Sequence, residues 1–255
     1  MRRPVVIIGI GEMAGVFARG LLRCGHPVYP VTRDVNMTAV AQQLPEPELV
    51  LVAVGEKDLD QTLTQIPSAW RNRLALLQNE LLPEAWQRHD IDQPTVISVW
   101  FEKKRGQDAK VLIASPIHGP HAQCLSDALE SLNIANRIVT TAPEMLFELV
   151  RKNLYIVTTN IAGLAVGGTV SELWSQHDSL ALEVANEVLD IQQWLAGVDL
   201  PRPRLIEGML EAFTGDPDHQ CMGRSAPARL ARALDQAGAA NLAVPALKRI
   251  AASQP

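Results

Sequence analysis

The chain has 255 residues, of which 47% are hydrophobic and 20% charged, with a formal net charge of -5. That length is ample for one large domain or two modest ones, and the composition is that of an ordinary globular protein. It excludes a nucleic-acid binder built on a basic stripe: the longest basic cluster, Lys103-Lys104-Arg105, follows Glu102 and reads as a solvated hairpin or loop.

Three cysteines, Cys24, Cys124 and Cys221, are odd in number and form no CxxC pair. Neither a disulfide framework nor a structural zinc site is expected, and a reducing cytoplasm is the natural home. His219 and Cys221 resemble a metal pair only superficially, because no third ligand has suitable spacing. Arg2-Arg3 followed by Val5 to Ile10 is not expected to be a signal peptide, since the apolar run is short and Glu12 interrupts it. No segment approaches the roughly 18 apolar residues of a membrane helix.

In chain order, Pro4 to Ile10 is short, β-branched and apolar on both faces, which predicts a buried parallel strand. Met13 to Arg23 follows with helical spacing through Val16, Phe17, Leu21 and Leu22, and Gly25 can cap its end. Further strands are expected at Pro27 to Thr32, Leu49 to Val54, Leu74 to Leu77, Thr95 to Val99 and Val111 to Ala114, with helices at Leu59 to Ile66 and Pro83 to Arg88. This alternation predicts an α/β fold with an N-terminal doubly wound, Rossmann-type parallel sheet.

Near residue 140 the pattern changes. Thr141-Ala142-Pro143-Glu144 has the form of a capping box and opens a helix from about Pro143 to Ala165, which Gly167-Gly168 stops. Glu172 to Ala196 predicts another helix, Pro201-Arg202-Pro203 a break, and Leu205 to Ala212 and Ala226 to Ala237 two more. The sequence therefore divides into a Rossmann domain over residues 1–140 and an all-α C-terminal domain over 141–255, with no internal repeat.

The first strand runs into Gly9-Ile10-Gly11-Glu12-Met13-Ala14, a G-x-G-x-x-A turn. Gly9 permits the tight turn, Gly11 lets a pyrophosphate reach the backbone, and Ala14 is small enough for close helix–strand packing. The helix start at Glu12 and Met13 offers free N–H groups and a partial positive charge to phosphates. A carboxylate at Glu12 fits only if it points away. The second strand ends at Thr32-Arg33, where an NAD site would usually carry Asp or Glu; Arg33 can pair with the 2′-phosphate of NADP, provided Asp34 faces away. The expected cofactor is NADP, and the alternative is a Rossmann fold that has lost its ligand.

With these features the chain resembles the ketopantoate reductase family, which joins a Rossmann domain to a helical domain and reduces a 2-oxo acid with NADPH. The glycine turn and Arg33 stand at the family's separation. Gln78-Asn79 resembles the family's Asn-Gly, with Glu80 in the glycine's place, and the resemblance puts Asn79 near the nicotinamide. Ile117-His118-Gly119-Pro120 resembles a family turn, and His118 reads better as a structural turn residue than as a ligand. The most specific match is Lys152, then Asn160 eight residues later, then Ser171-Glu172-Leu173. It implies Lys152 as general acid toward the forming alkoxide and Asn160 as the group orienting the carbonyl; a satisfied buried asparagine is the competing reading of Asn160, and a solvated helix lysine that of Lys152.

The departures bear on substrate. The family's first helix asparagine is Ile156 here, and Gly55 stands where the family has a lysine, unless a loop shift brings in Lys57. Ser225 falls opposite the family's substrate-holding glutamate; a slipped alignment would offer Glu207, Glu211 or Asp218 instead. A site that has lost such polar contacts is a poor one for ketopantoate itself. The leading expectation is an NADPH-dependent reductase of another small 2-oxo acid or related carbonyl, without nucleic-acid or membrane partners. Two alternatives stand beside it: a catalytically retired NADPH-binding sensor or structural protein, and a helical assembly module with an empty cleft. Trp174 and Trp194 read as helix core or interface, and a homodimer through the helical half is the expected assembly.

Overall fold

The computed structural model describes residues 2–254, which fall into two compact units that divide between Glu148 and Leu149. In the first unit the elements run β1 (Val5–Ile8), α1 (Glu12–Arg23), β2 (Val28–Val31), α2 (Met37–Gln43), β3 (Leu49–Val52), α3 (Leu59–Thr64), β4 (Leu74–Leu76), α4 (Glu84–Gln87), β5 (Thr95–Ile97), β6 (Phe101–Glu102), β7 (Lys110–Val111), β8 (Ser115–His118), α5 (Ala122–Glu130) and β9 (Asn136–Ile138). A seven-stranded sheet has the order β2-β1-β3-β4-β5-β8-β9. Its pairings are parallel except for β5 against β8. The chain leaves β1 for β2 on one side and later places β3 on the other. The carboxyl ends of β1 and β3 therefore flank a topological switch point, where doubly wound sheets bind ligands.

The predicted first strand is there for the expected reason. All four residues of β1 are buried, as a central parallel strand covered on both faces requires. Helix α1 lays Ala14, Val16, Phe17 and Leu21 on the sheet. It also lies hard against α5, where a Cβ on Gly20 would stand 2.3 Å from the Ala128 carbonyl oxygen.

The late strands differ from expectation. The apolar run Val111 to Ala114 is not a strand of the main sheet: Lys110 and Val111 pair with Phe101 and Glu102 in a small hairpin, and the Leu112 N–H donates to the Trp100 carbonyl. Phe101 and Val111 thereby pack against the core through the hairpin. The sheet takes the next segment, Ser115–His118, although Pro116 argues against a strand in sequence. Lys103, expected to be solvated, is 16% exposed; its ammonium donates to the Lys104 and Gln107 carbonyls and faces Glu12 at 3.8 Å.

Helix α6 (Ala142–Val166) contains the boundary between the units. Its predicted capping box is made: the Glu144 N–H donates to Thr141 Oγ1 (3.3 Å) and the Thr141 N–H to the Glu144 carboxylate (3.2 Å). The second unit continues with α7 (Val170–Ala196), α8 (Arg202–Gly215), α9 (Ala226–Ala239) and α10 (Pro245–Ala252). Among its described residues there is no strand, only an isolated bridge between Thr169 and Gln220. Gly167 and Gly168, at φ +67° and +75°, end α6 in the left-handed region. The break expected at Pro201-Arg202-Pro203 is shorter than read, since α8 begins at Arg202 and absorbs Pro203 in its first turn, where a missing donor costs little.

Paired polar groups hold this unit together. The buried Glu187 carboxylate accepts from the Ala246 and Leu247 amides at 2.7 and 2.9 Å, satisfying the first turn of α10. Arg151 Nε donates to the Gly208 carbonyl (2.8 Å), at a point where a Cβ on Gly208 would collide with the guanidinium. Asn153 donates to Gln192 (2.9 Å). Among the described residues no helix is long and apolar enough to cross a membrane.

Two substitutions on α1 should act with opposite sign. Gly20→Ala forces a methyl onto a backbone oxygen and should cost about 1–3 kcal/mol in urea unfolding. Gly15, on the exposed side with nothing within 4 Å of its Cβ position, should gain about 0.5–1 kcal/mol as Ala.

Candidate functional site

A cavity of about 890 Å³ opens at the switch point of the first unit. Its floor is the end of β1 and the glycine turn (Ile8 to Gly11), its sides the ends of β2 and β3 (Val31 to Val35, Ala53 to Gly55), and its far wall Asp58, Gln61, Thr62 and Gln65. That volume lies in the range of small-molecule and cofactor sites, about 300–1,000 Å³.

The turn is shaped by two distinct glycine requirements. Gly9 has φ +90°, and a Cβ there would stand 2.8 Å from the Ala53 carbonyl oxygen, so only glycine lets β1 turn this close to β3. Its N–H donates to the Val31 carbonyl (2.9 Å), while the Ala53 N–H donates to Ile8 (2.8 Å), which fastens the three strand ends together. Gly11 is different. Its backbone is extended, and a Cβ there would meet nothing within 4 Å. It precedes α1, whose first turn receives no side-chain cap. A helix N-terminus with uncapped N–H groups, beside an open cavity, is a place for an anion.

The predicted binding residues fall into two groups. Gly9, Gly11 and Arg33 line the cavity; Glu12, Met13, Ala14 and Asn79 do not. Ala14 is buried, Met13 packs partly against the core, and Glu12 turns toward Lys103. Arg33 is 90% exposed and faces Asp58 Oδ2 at 3.7 Å. Asp34, expected to face away, is itself part of the wall, whereas Lys57 is exposed and outside it.

The wall formed by Asp58, Gln61, Thr62 and Gln65 was not anticipated from sequence. A signal for it exists: these four polar residues recur at i, i+3, i+4 and i+7, while Leu59, Leu63 and Ile66 are buried on the other side. The segment is an amphipathic helix whose polar stripe faces the cavity.

At the end of β4, Gln78 is buried and acts as a tie. Its amide nitrogen donates to the Val52 and Val54 carbonyls (2.8 and 3.2 Å), and its oxygen accepts from the Leu77 N–H (3.1 Å). Asn79 stands next to this tie, half-buried. His118 closes β8, with Nδ1 bonded to the Val139 carbonyl at 2.9 Å, a structural use.

In the second unit Lys152 is half-buried on α6, and Ile156, 9% exposed, belongs to the core. Asn160 has both amide ends engaged: Nδ2 donates to the Cys221 carbonyl (3.2 Å) and Oδ1 accepts from Arg229 (2.9 Å). Glu211 pairs with Arg151 at 2.8 Å. Glu172 completes a capping box with Thr169 at the start of α7, and Leu173 is fully buried. Trp174 meets Phe213 edge-on, and Trp194 is 47% exposed. Burial pushes the Cys124 thiol up to about 12 and the Cys221 thiol up to about 11, so neither is a thiolate nucleophile at neutral pH. Among the described residues no group of His, Cys, Asp and Glu is arranged to hold a metal ion.

No family model and no curated protein matches this sequence. Solved structures do. The 2-dehydropantoate 2-reductase of Methylococcus capsulatus superposes with TM-score 0.70 at 13% identity, over 98% of this chain and 94% of that one. The dimeric ketopantoate reductase of Staphylococcus aureus gives TM-score 0.65 at 15% identity, over 98% and 96%. A D-mandelate dehydrogenase in complex with NADH gives TM-score 0.65 at 14% identity, over 97% and 96%. At such identities the likeness is one of architecture: the chain has the fold of the ketopantoate reductases, a Rossmann unit followed by a helical one.

Within that fold Glu80 is a visible compromise. It stands where the resemblance expects glycine and keeps a left-handed backbone, φ +57°. An L-residue with a Cβ is disfavoured there by about 1 kcal/mol. Glu80→Gly should therefore raise stability by about 0.5–1 kcal/mol in denaturant unfolding; a loss of that size would mean the glutamate side chain holds the turn.

Proposed function

We propose that the chain is a nicotinamide-dinucleotide-dependent reductase of a small 2-oxo acid or related carbonyl, with NADPH as the preferred cofactor. The observation that carries this reading is the switch-point cavity, where the bare side of Gly11 and the uncapped start of α1 meet open space. A pyrophosphate fits that cradle, since it needs backbone N–H groups and no intervening side chain. Arg33, at the end of β2, is the group for a 2′-phosphate. Asn79, beside the Gln78 tie, is assigned to the nicotinamide end by the family resemblance.

A nicotinamide cofactor held there would supply the hydride chemistry of a carbonyl reduction. The family resemblance assigns Lys152 the part of general acid, the donor of the proton that a reduced carbonyl oxygen takes up to become an alcohol. Asn160 orients that oxygen. Its bonds to Cys221 and Arg229 lock the amide in place. The neighbour that is a D-mandelate dehydrogenase, whose 2-hydroxy acid is the reduced partner of a 2-oxo acid, is in keeping with this substrate class. We further propose a homodimer, as in the dimeric neighbour, with Trp194 and Val198 exposed near the end of α7.

A second reading has its own observations. Ile156 is core, Glu211 is committed to Arg151, and Asn160 is engaged at both ends. These suit a protein that keeps the cofactor and has lost turnover. The two readings separate in one assay: consumption of NADPH by the purified protein across a panel of 2-oxo acids. The reductase reading expects turnover of at least one, and a fall of about 10²–10⁴-fold in kcat for Lys152→Ala. Binding of NADPH without turnover supports the retired reading, and full turnover by Lys152→Ala would remove that residue from the chemistry.

A further inference from the structure

The charged residues in the cavity wall are one guanidinium, Arg33, and two carboxylates, Asp34 and Asp58. Arg33 is not simply presented to a ligand. It already faces Asp58 Oδ2 at 3.7 Å, linking the end of β2 to the start of α3.

Asp58 has no structural claim on its own carboxylate. It occupies the residue before α3, where an aspartate ordinarily accepts from the first-turn amides, yet its side chain makes no cap hydrogen bond. Its backbone does the local work instead: the N–H donates to the Gly55 carbonyl (2.9 Å) and the carbonyl accepts from Thr62 Oγ1 (2.7 Å). The carboxylate lies over Gly55, with Oδ2 3.7 Å from where a Cβ on that glycine would be.

We propose that Asp58 is a specificity-determining residue of this cavity, one that restrains the preference for a 2′-phosphorylated cofactor. The inference rests on the reading that the cavity takes a nicotinamide dinucleotide. In doubly wound folds the residue at the end of the second strand meets the 2′ substituent of the adenosine ribose. A group bound by Arg33 is therefore within a few ångströms of Asp58. A 2′-phosphate brings close to two negative charges; it must take Arg33 from Asp58 and then sit beside the freed carboxylate. A 2′-hydroxyl meets the opposite situation, because it can donate a hydrogen bond to that carboxylate, the role an acidic residue plays in NAD sites. Arg33 and Asp58 together give a cavity that accepts both NADPH and NADH, with the ratio set by the carboxylate.

The test is calorimetric titration of the full chain with NADPH and with NADH, at one pH and low ionic strength, for the wild type and Asp58→Asn. The substitution removes the charge and keeps the shape. It should tighten NADPH by about tenfold and leave NADH within about twofold or weaker. Asp58→Ala, which offers no polar replacement, carries the same expectation for NADPH and keeps the test open should the asparagine variant fold poorly. An equal change for both cofactors, or an unchanged or weakened NADPH affinity, overturns the role of Asp58 while the cofactor reading stands. A wild-type protein that binds neither cofactor overturns the cofactor reading itself, and this inference with it.

Discussion

The candidate site depends on one close approach: the backbone at Gly9 passes so near the Ala53 carbonyl that a Cβ would stand 2.8 Å from its oxygen. Because the turn is this tight, α1 starts directly above the carboxyl ends of β1 and β3 instead of after a loop. The start of α1, which receives no side-chain cap, then lies beside the cavity that opens where β1 sends the chain to both sides of the sheet. Gly20 completes the arrangement at the other end of the helix by letting α1 lie against α5. Strand burial, the turn and helix packing are thus one device, and its product is a cavity beside a helix N-terminus, a place suited to an anion.

The helical unit follows a different logic. Its polar residues are largely used to join helices: Arg151 to Gly208 and Glu211, Asn153 to Gln192, Asn160 to Cys221 and Arg229, Glu187 to the first amides of α10. Buried polar groups tied in this way specify a unique packing, and each is costly to leave half-satisfied. Several residues that a sequence reading assigns to substrate therefore carry structural bonds as well. The two uses compete at Asn160, where the amide is both locked in place and partly consumed.

Much of the first unit was legible in sequence because its signals are local. Val5–Ile8 is apolar on both faces, the glycine turn follows at once, and the capping box at Thr141 and Glu144 marks the start of α6. The parts that were not legible fail for physical reasons. Val111 to Ala114 has the composition of a core strand, but Phe101 and Val111 satisfy the core through a hairpin, and a segment containing Pro116 takes the sheet position. Asn136–Ile138 is polar because it is an edge strand, so no apolar run announces it. Helix α10 is stabilised by Glu187, nearly sixty residues earlier in the chain, which no local pattern reveals. In the cavity, Gly9, Gly11 and Arg33 were readable as a motif. Asp58 was not, since an aspartate before a short helix reads as an ordinary cap until its carboxylate is seen turned toward Arg33.

The claim at the centre of this account is that a dinucleotide lies with its pyrophosphate over Gly11. The most direct measurement is calorimetric titration of NADPH into the Gly11→Val variant beside the wild type, with thermal unfolding of both as a check on the fold. The extended backbone and open surroundings of residue 11 admit a valine, so the melting temperature should stay close to that of the wild type. The side chain would occupy the pyrophosphate position, and NADPH binding should weaken by about tenfold or more. A variant that folds normally and binds NADPH as tightly as the wild type would contradict the account.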